Sequence, residues 1–208
     1  MPALYYLQAV TLGFSAAAMP GPFQAFLIET AARRGHRAAA LAALAPLLSD
    51  GPIILVATLL LSRLPAWCLP LLRIVGGAYV LYLGLAAFRA WRTELSNVDA
   101  SQPSQLSQAS AIQAATINLL NPGVYLYWGT VSGPLLIEGW QHHPASGLAF
   151  LALFYGVMLL ASQALVLGVA KLASASGRIT RAIQALSVLL MFVFAGIYLW
   201  QGVTALLP

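Results

Sequence analysis

Six apolar stretches, each long enough to cross a lipid bilayer, run through almost the whole of this 208-residue chain. About 20 predominantly apolar residues cross the hydrocarbon core as a helix. Helices are the expected form, because each one satisfies its own backbone hydrogen bonds where no water is available. The sequence therefore predicts an all-α membrane protein of six transmembrane helices. The predicted spans are Leu4–Ile28, Ala38–Leu61, Pro65–Ala90, Ala111–Ile137, Ala145–Ala170 and Ala182–Leu206.

The charge content excludes most soluble functions. Only 7% of the residues are charged, whereas a soluble domain carries roughly 25%. The net charge of +5 comes from short basic clusters between the apolar stretches and not from a basic face, so we predict no nucleic-acid partner. Cys68 is the single cysteine, which excludes an intramolecular disulfide and paired-thiol chemistry.

A tract rich in serine and glutamine divides the chain into two halves. It cannot bury enough apolar surface to order itself, so we expect a flexible cytoplasmic linker at residues 96–110. Residues 1–95 would then form a first three-helix repeat and residues 111–208 a second one. A half with three spans starts and ends on opposite sides of the membrane, so the second half enters in the reverse sense. The sequence thus predicts two inverted repeats, a common construction in secondary transporters.

The basic residues predict the orientation of the chain. Cytoplasmic loops of membrane proteins carry an excess of Lys and Arg. The other side of this chain offers only Arg63, with Arg73 farther inside the third span. We therefore expect loops one, three and five to be cytoplasmic and both termini to lie outside. The basic residues of those three loops are Arg33, Arg34, Arg37, Arg89, Arg92, Lys171, Arg178 and Arg181.

Proline and glycine interrupt the first span of each half. The two tracts are Met19-Pro20-Gly21-Pro22 and Asn121-Pro122-Gly123. Proline inside a helix removes a hydrogen bond and clashes with the preceding turn. Each tract on its own is also consistent with a simple kink. Two interrupted helices in corresponding spans, however, favour a transporter's binding site.

Asp50 is an acid in the middle of the second apolar stretch. A charge at that depth is unfavourable and should face the bundle interior. It could carry a proton or bind a cationic substrate group, or its carboxyl could be structural and bond to Ser49 or to freed backbone. Arg73 could pair with it or extend to the membrane surface. We expect Glu29 and Glu138, near span ends, to be solvated.

Polar amides near the two interruptions complete the candidate site. Gln24 follows the first interruption, and Asn118 and Asn121 flank the second. Asn121 is also suited to cap a half-helix that starts at Pro122. The sequence contains no nucleotide-binding loop or catalytic set at suitable depth, so we predict no enzyme activity, cofactor or metal site. The candidate substrate- or ion-binding residues are Pro20, Gly21, Pro22, Gln24, Asp50, Asn118, Asn121, Pro122 and Tyr125.

These motifs, in this order and spacing, resemble the lysine-exporter (LysE/RhtB) family of small bacterial amino-acid exporters. The resemblance covers essentially the whole chain. The more distantly similar membrane thiol-electron carriers need a cysteine pair, which this chain lacks. The matching segments are Pro20-Gly21-Pro22-Phe23-Gln24, Ser49-Asp50-Gly51, Gly76-Gly77-Ala78-Tyr79, Tyr82-Leu83-Gly84 and Asn118-Leu119-Leu120-Asn121-Pro122.

The resemblance implies export of amino acids or related small metabolites across the bacterial inner membrane, with the proton as coupling ion in an antiport. It also implies self-association, such as a homodimer. Some relatives that export basic amino acids carry an extra acid near the second interruption, where this chain continues as Leu126-Tyr127-Trp128. That departure puts a strictly cationic substrate in doubt. The alternatives are export of another small solute, such as a metal ion or a sulfur compound, and a non-transporting membrane scaffold.

Overall fold

The computed structural model describes residues 1–60, 65, 67–96 and 107–206, and all regular structure in these ranges is helical. A π-helical turn, Trp128–Ser132, joins α6 to α7. Arg63 and residues 97–106 of the predicted linker lie outside the described residues. The helices are α1 Ala3–Ala18, α2 Pro22–Ala42, α3 Ala45–Leu60, α4 Cys68–Ser96, α5 Ser107–Leu119, α6 Pro122–Tyr127, α7 Gly133–His142, α8 Pro144–Ala175 and α9 Gly177–Thr204.

Several of these helices can cross a membrane by length and composition. Within the described ranges, α8, α9 and the segment Pro70–Arg92 of α4 qualify singly, and α2 with α3 qualifies as a pair bent by 49°. Large apolar side chains also cover the outside, as at Leu48 with 78% and Leu160 with 73% of the side chain exposed. Such a surface needs lipid as its solvent. The prediction of an all-α membrane protein is confirmed.

The first interruption separates two helices completely. Helix α1 ends at Ala18 and α2 begins at Pro22. Proline is well suited to the first helical position, where no N–H group is needed. Between the helices, Gly21 is fully extended with φ −168° and ψ 177°. The structure therefore shows a break here and not a kink.

The second interruption is also a break, and it is capped. Helix α5 ends at Leu119 and α6 begins at Pro122. Asn121 lies between them with φ −87° and ψ 105°, and its Oδ1 accepts a hydrogen bond of 2.9 Å from the Gly123 N–H. The predicted N-cap is confirmed.

The predicted first loop is mostly helical. Arg33, Arg34 and Arg37 lie within α2, and the only non-helical residue of that helix is Gly35, with φ +78° and ψ 176°. This backbone region is open essentially to glycine alone. The loop is thus reduced to one residue that joins two helical segments. The predicted second span is itself interrupted at Ala43 and Leu44, directly before a helix that has Pro46 in its first turn.

Helix also extends into both ends of the predicted linker. Helix α4 continues to Ser96 and α5 begins at Ser107. The close packing of α4 explains the glycines of its sequence, because side chains added at Gly77 and Gly84 would meet Leu199 and Met191 of α9. This face of α4 therefore points into the bundle.

Candidate functional site

Both helix breaks border one cavity of about 110 Å³. Pro20 and Gly21 line it from the first break, and Asn121 and Gly123 line it from the second. Asp50 of α3 lies in the same wall. The cavity therefore brings together the features that the sequence placed in three separate apolar stretches. Helices α8 and α9 complete the lining with Phe154, Met158, Ser162 and Tyr198.

Asp50 is buried, with 4% of its surface exposed, and both of its carboxylate oxygens accept hydrogen bonds. The Asn118 Nδ2 donates to Oδ1 over 2.5 Å, and the Tyr155 hydroxyl donates to Oδ2 over 2.8 Å. The same Asn118 amide also donates to the Ser49 hydroxyl over 2.8 Å. Hydrogen bonds to a charged acceptor are the strong ones, so this arrangement fixes the carboxylate in one orientation.

No Lys, Arg or His within the described ranges forms an ion pair with Asp50. Arg73, the partner suggested by topology, instead lies within electrostatic range of the Tyr198 phenol. Neutral donors orient an ionised carboxylate but do not cancel its charge. Asp50 when ionised therefore keeps a net negative charge at a buried position, and such a charge attracts a cation.

At the first break, a side chain satisfies the carbonyl groups freed at the end of α1. The Gln24 Nε2 donates to the Ala16 and Ala17 carbonyl oxygens over 3.2 and 3.5 Å. No side chain caps the N-terminus of α2, although Gly21, Phe23 and Gln24 all line the cavity. The positive end of the α2 dipole thus faces the cavity without a side-chain cap, as in anion-binding helix termini.

At the second break, side chains satisfy polar backbone groups at the end of α5 and at the start of α6. The Asn121 Oδ1 that caps α6 also accepts a hydrogen bond of 2.8 Å from the Tyr198 hydroxyl. The Tyr125 hydroxyl donates to the Leu119 carbonyl over 3.0 Å and so satisfies the end of α5. The two breaks are therefore chemically different, because a side chain caps the helix N-terminus at the second break and none does at the first.

The structure brings together most of the predicted site residues. Pro22 and Pro122 are buried starting residues of α2 and α6 and do not line the cavity, and neither does Tyr125. Their positions are consistent with a role in shaping the breaks. The predicted residues that line the cavity are Pro20, Gly21, Gln24, Asp50, Asn118 and Asn121.

Aromatic residues that the sequence did not single out form the wall beside Asp50. Trp128 is 1% exposed, and its ring centroid lies 5.0 Å from that of Phe154. The Trp128 ring also stacks at 6.2 Å on Tyr155, the residue that bonds to Asp50. No local motif marks these residues, since aromatic side chains are ordinary in apolar helices.

Glu29 is buried, so the expectation that it is solvated is wrong. Only 5% of its surface is exposed, and its Oε1 lies 3.3 Å from the Arg33 Nη1, one helical turn away. Helix α2 extends past the predicted end of the first span, which places Glu29 in the interior against other helices. Glu138, by contrast, is exposed on α7. Within the described ranges, no three or more His, Cys, Asp or Glu side chains are grouped to hold a metal ion.

Comparison with known proteins agrees with this site. The family model described as LysE type translocator matches residues 14–202, a range that includes both breaks, Asp50 and Asn118. No curated protein and no solved structure matches the chain significantly. A translocator moves its substrate across a membrane and does not transform it, so the protein is a transporter and not an enzyme. The chain therefore belongs to the LysE type translocator family, whose members export amino acids and other small solutes.

Proposed function

We propose that this protein exports amino acids or related small metabolites from the cytoplasm by proton antiport, with Asp50 at the centre of the transport site. The observation that carries the proposal is the position of Asp50. It is a buried carboxylate with no basic partner among the described residues, in a cavity bordered by both helix breaks. Broken helices at membrane depth are typical of substrate sites in secondary transporters.

The cavity offers complementary groups to the two charges of an α-amino acid. The substrate ammonium group would bind the Asp50 carboxylate, and its carboxylate would bind the N–H groups in the first turn of α2. The cavity of about 110 Å³ is smaller than the roughly 150 Å³ of a cavity that accepts benzene. This volume suits the backbone groups of one amino acid.

Proton coupling would follow from competition for one carboxylate. When Asp50 binds a proton it loses its charge and becomes a hydrogen-bond donor, so it no longer attracts an ammonium group. A site that holds either a proton or the substrate exchanges one for the other. An inward proton gradient would then drive the substrate outward, which is antiport.

We infer that the two halves form an inverted repeat of six spans. The last helices of the halves, α4 and α9, run antiparallel, since side chains at Gly77 and Gly84 would meet Leu199 and Met191 in reverse order. An inverted repeat requires this antiparallel arrangement of equivalent helices. The spans would be α1 with α2 up to Gly35, α2 from His36 with α3, then α4, then α5 to α7, then α8 and α9.

A second set of equivalent contacts, between the first span of one half and the second span of the other, is consistent with the same symmetry. Helix α1 runs beside α8 in the same direction, because Tyr5 packs on Phe150 and Gly13 on Phe154. The equivalent pair in the repeat, α5 to α7 beside α3, is also parallel, because Asn118 bonds to Asp50 and Gly133 abuts Thr58. An experimental structure with either pair antiparallel would contradict the repeat. Rocking of the halves about the Asp50 cavity would give alternating access.

We further propose that the chain lies in the bacterial cytoplasmic membrane with both termini outside and the basic loops inside. The clusters of Arg and Lys support this orientation through the positive-inside rule. Tags at each terminus should therefore be reachable by an impermeant reagent in intact cells. Labelling of both tags only after cell lysis would contradict the orientation. Self-association stays a prediction, and cross-linking of the protein in native membranes tests it.

Purified protein in liposomes tests the proposed transport directly. Vesicles loaded with a mixture of radiolabelled amino acids should release label faster when a proton gradient directed into the vesicle lumen is imposed. The gradient is generated by acidifying the outside, and a protonophore should remove the acceleration. Protein-free liposomes give the leak rate. Release that does not respond to the gradient would defeat the antiport mechanism, and no release above leak would defeat the transport assignment.

Tyr155→Phe should weaken transport through its effect on Asp50. The change removes the hydroxyl that donates to Oδ2 over 2.8 Å. Hydrogen bonds to charged groups contribute about 1.5–3 kcal/mol, so we expect a loss of roughly tenfold or more in transport efficiency. The matched control is Tyr82→Phe, which removes the hydroxyl of a side chain that is 64% exposed on α4, outside the cavity. Equal effects of the two substitutions on transport would contradict the role given to Tyr155.

A further inference from the structure

A second and larger cavity, of about 340 Å³, adjoins the Asp50 cavity. The two cavities share part of their lining, namely Ala17, Pro20, Gly21 and Gln24. The first break thus has the polar cavity on one side and the second cavity on the other. We call the second one the side-chain cavity.

The lining of the side-chain cavity is almost entirely apolar. Four helices contribute large apolar side chains, such as Phe14 from α1, Ile28 from α2, Leu165 from α8 and Phe194 from α9. Among the described residues of the lining, Gln24 alone has a polar side chain and none is charged. A volume above about 300 Å³ with apolar walls is typical of small-molecule sites.

We propose that the side-chain cavity receives the side chain of the transported amino acid, so that the protein selects amino acids with medium to large apolar side chains. This inference rests on the proposed function, because it assumes that the ammonium and carboxylate groups bind in the Asp50 cavity. The two cavities adjoin at Pro20, Gly21 and Gln24, so a single molecule would occupy both once the passage between them opens.

Gln24 is the side chain that stands between the cavities. It is half-buried, and its Nε2 holds the Ala16 and Ala17 carbonyls over 3.2 and 3.5 Å. These distances lie at the long end of the range for N–H···O bonds, whose mode is about 2.9–3.0 Å. A different rotamer of Gln24 would therefore open the passage at the loss of two weak bonds.

The apolar lining of the side-chain cavity determines which amino acids the protein exports best. One extra or missing methylene group in an apolar pocket changes the discrimination between two substrates by roughly 10- to 200-fold. Leucine, methionine or phenylalanine would thus be exported better than alanine. A lysine side chain would bring its ammonium group against walls with no carboxylate, and burial of an unpaired charge is strongly unfavourable. Basic amino acids are therefore poor substrates.

A lipid acyl chain is the competing occupant, because Phe14 at the edge of this cavity is 59% exposed. Substitutions on α8 separate the two occupants. Ala161→Phe places a ring in the side-chain cavity, whereas Ala164→Phe adds the same ring at an exposed position outside both linings. Leu165→Ala enlarges the cavity and provides a second variant where Ala161→Phe fails to fold.

The experiment measures proton-driven efflux of leucine, phenylalanine, alanine and lysine from liposomes that contain each variant. Wild type should export leucine and phenylalanine at least tenfold more efficiently than alanine or lysine. Ala161→Phe should lower the efflux of leucine and phenylalanine tenfold or more and leave the efflux of alanine within about twofold of wild type. Leu165→Ala should export phenylalanine better than leucine. Ala164→Phe should match wild type for every amino acid.

Three results would overturn the inference while the proposed function stands. The first is a wild type that prefers alanine or lysine. The second is an Ala161→Phe variant that changes efflux of every amino acid equally or of none. The third is a Leu165→Ala variant that leaves the order of substrates unchanged, as expected of a cavity that only seats lipid. Absence of efflux of any amino acid by wild type would instead defeat the proposed function, and the inference with it.

Discussion

Asp50→Asn should reduce amino-acid efflux by about 30-fold or more while the protein still inserts and folds. The substitution keeps the shape of the side chain, and the new amide accepts from Asn118 and donates to the Tyr155 hydroxyl oxygen, but the negative charge is removed. Loss of one partner of a buried charged pair changes binding by about 2–5 kcal/mol. An amide also cannot take up the coupling proton, so the response to the pH gradient should vanish as well.

Glu138→Gln provides the matched control for Asp50→Asn. It neutralises an exposed carboxylate on α7, outside the cavity. Its efflux rate and its gradient dependence should equal those of wild type. Size-exclusion chromatography in detergent establishes that both variants are folded. Efflux by Asp50→Asn at the wild-type rate, with the gradient response intact, would remove Asp50 from the mechanism.

Gly13→Ala should destabilise the protein and impair transport together. A methyl group at Gly13 would overlap the backbone carbonyl of Phe154, so α1 and α8 would have to separate. Overpacking of this kind lowers the free energy of unfolding by about 1–3 kcal/mol. Phe154 also lines the Asp50 cavity, so a shift of α8 displaces the wall that holds Tyr155.

Gly156→Ala on α8 is the control for Gly13→Ala, because a methyl group there would meet no atom within 4 Å. Alanine exceeds glycine in helix propensity by up to about 1 kcal/mol, so this variant should be as stable as wild type or more stable. Thermal unfolding in detergent compares the two. Unfolding temperatures that fall equally would show that contact with Phe154 is not what matters at Gly13.

Features with a local physical signature could be read from the sequence. Pro20, Pro22 and Pro122 cannot lie inside undisturbed helices, so both breaks were predictable to within a residue or two. Asp50 and Asn118 stand out because a polar side chain at membrane depth is an exception that needs a partner. The cap formed by Asn121 follows from its position before proline.

Features that depend on neighbouring helices gave no such signal. Tyr155 and Tyr198 are ordinary residues of apolar helices until the fold brings one to Asp50 and the other to Asn121. Glu29 lies near a predicted span end, and only the packing of α2 against other helices buries it. The interruption at Ala43 and Leu44 differs from these features, because Pro46 in the first turn of α3 marks it in the sequence.

The sequence by itself determined that the chain lies in a membrane and that its helices break at two places, because hydrophobic length and the missing N–H of proline act locally. Only the tertiary structure decided that both breaks and Asp50 border one cavity, since contacts among residues far apart in the chain depend on helix packing. Packing likewise left α2 without a side-chain cap and placed an apolar cavity beside the Asp50 cavity. The proposed substrate class rests on these contacts and not on the motifs alone.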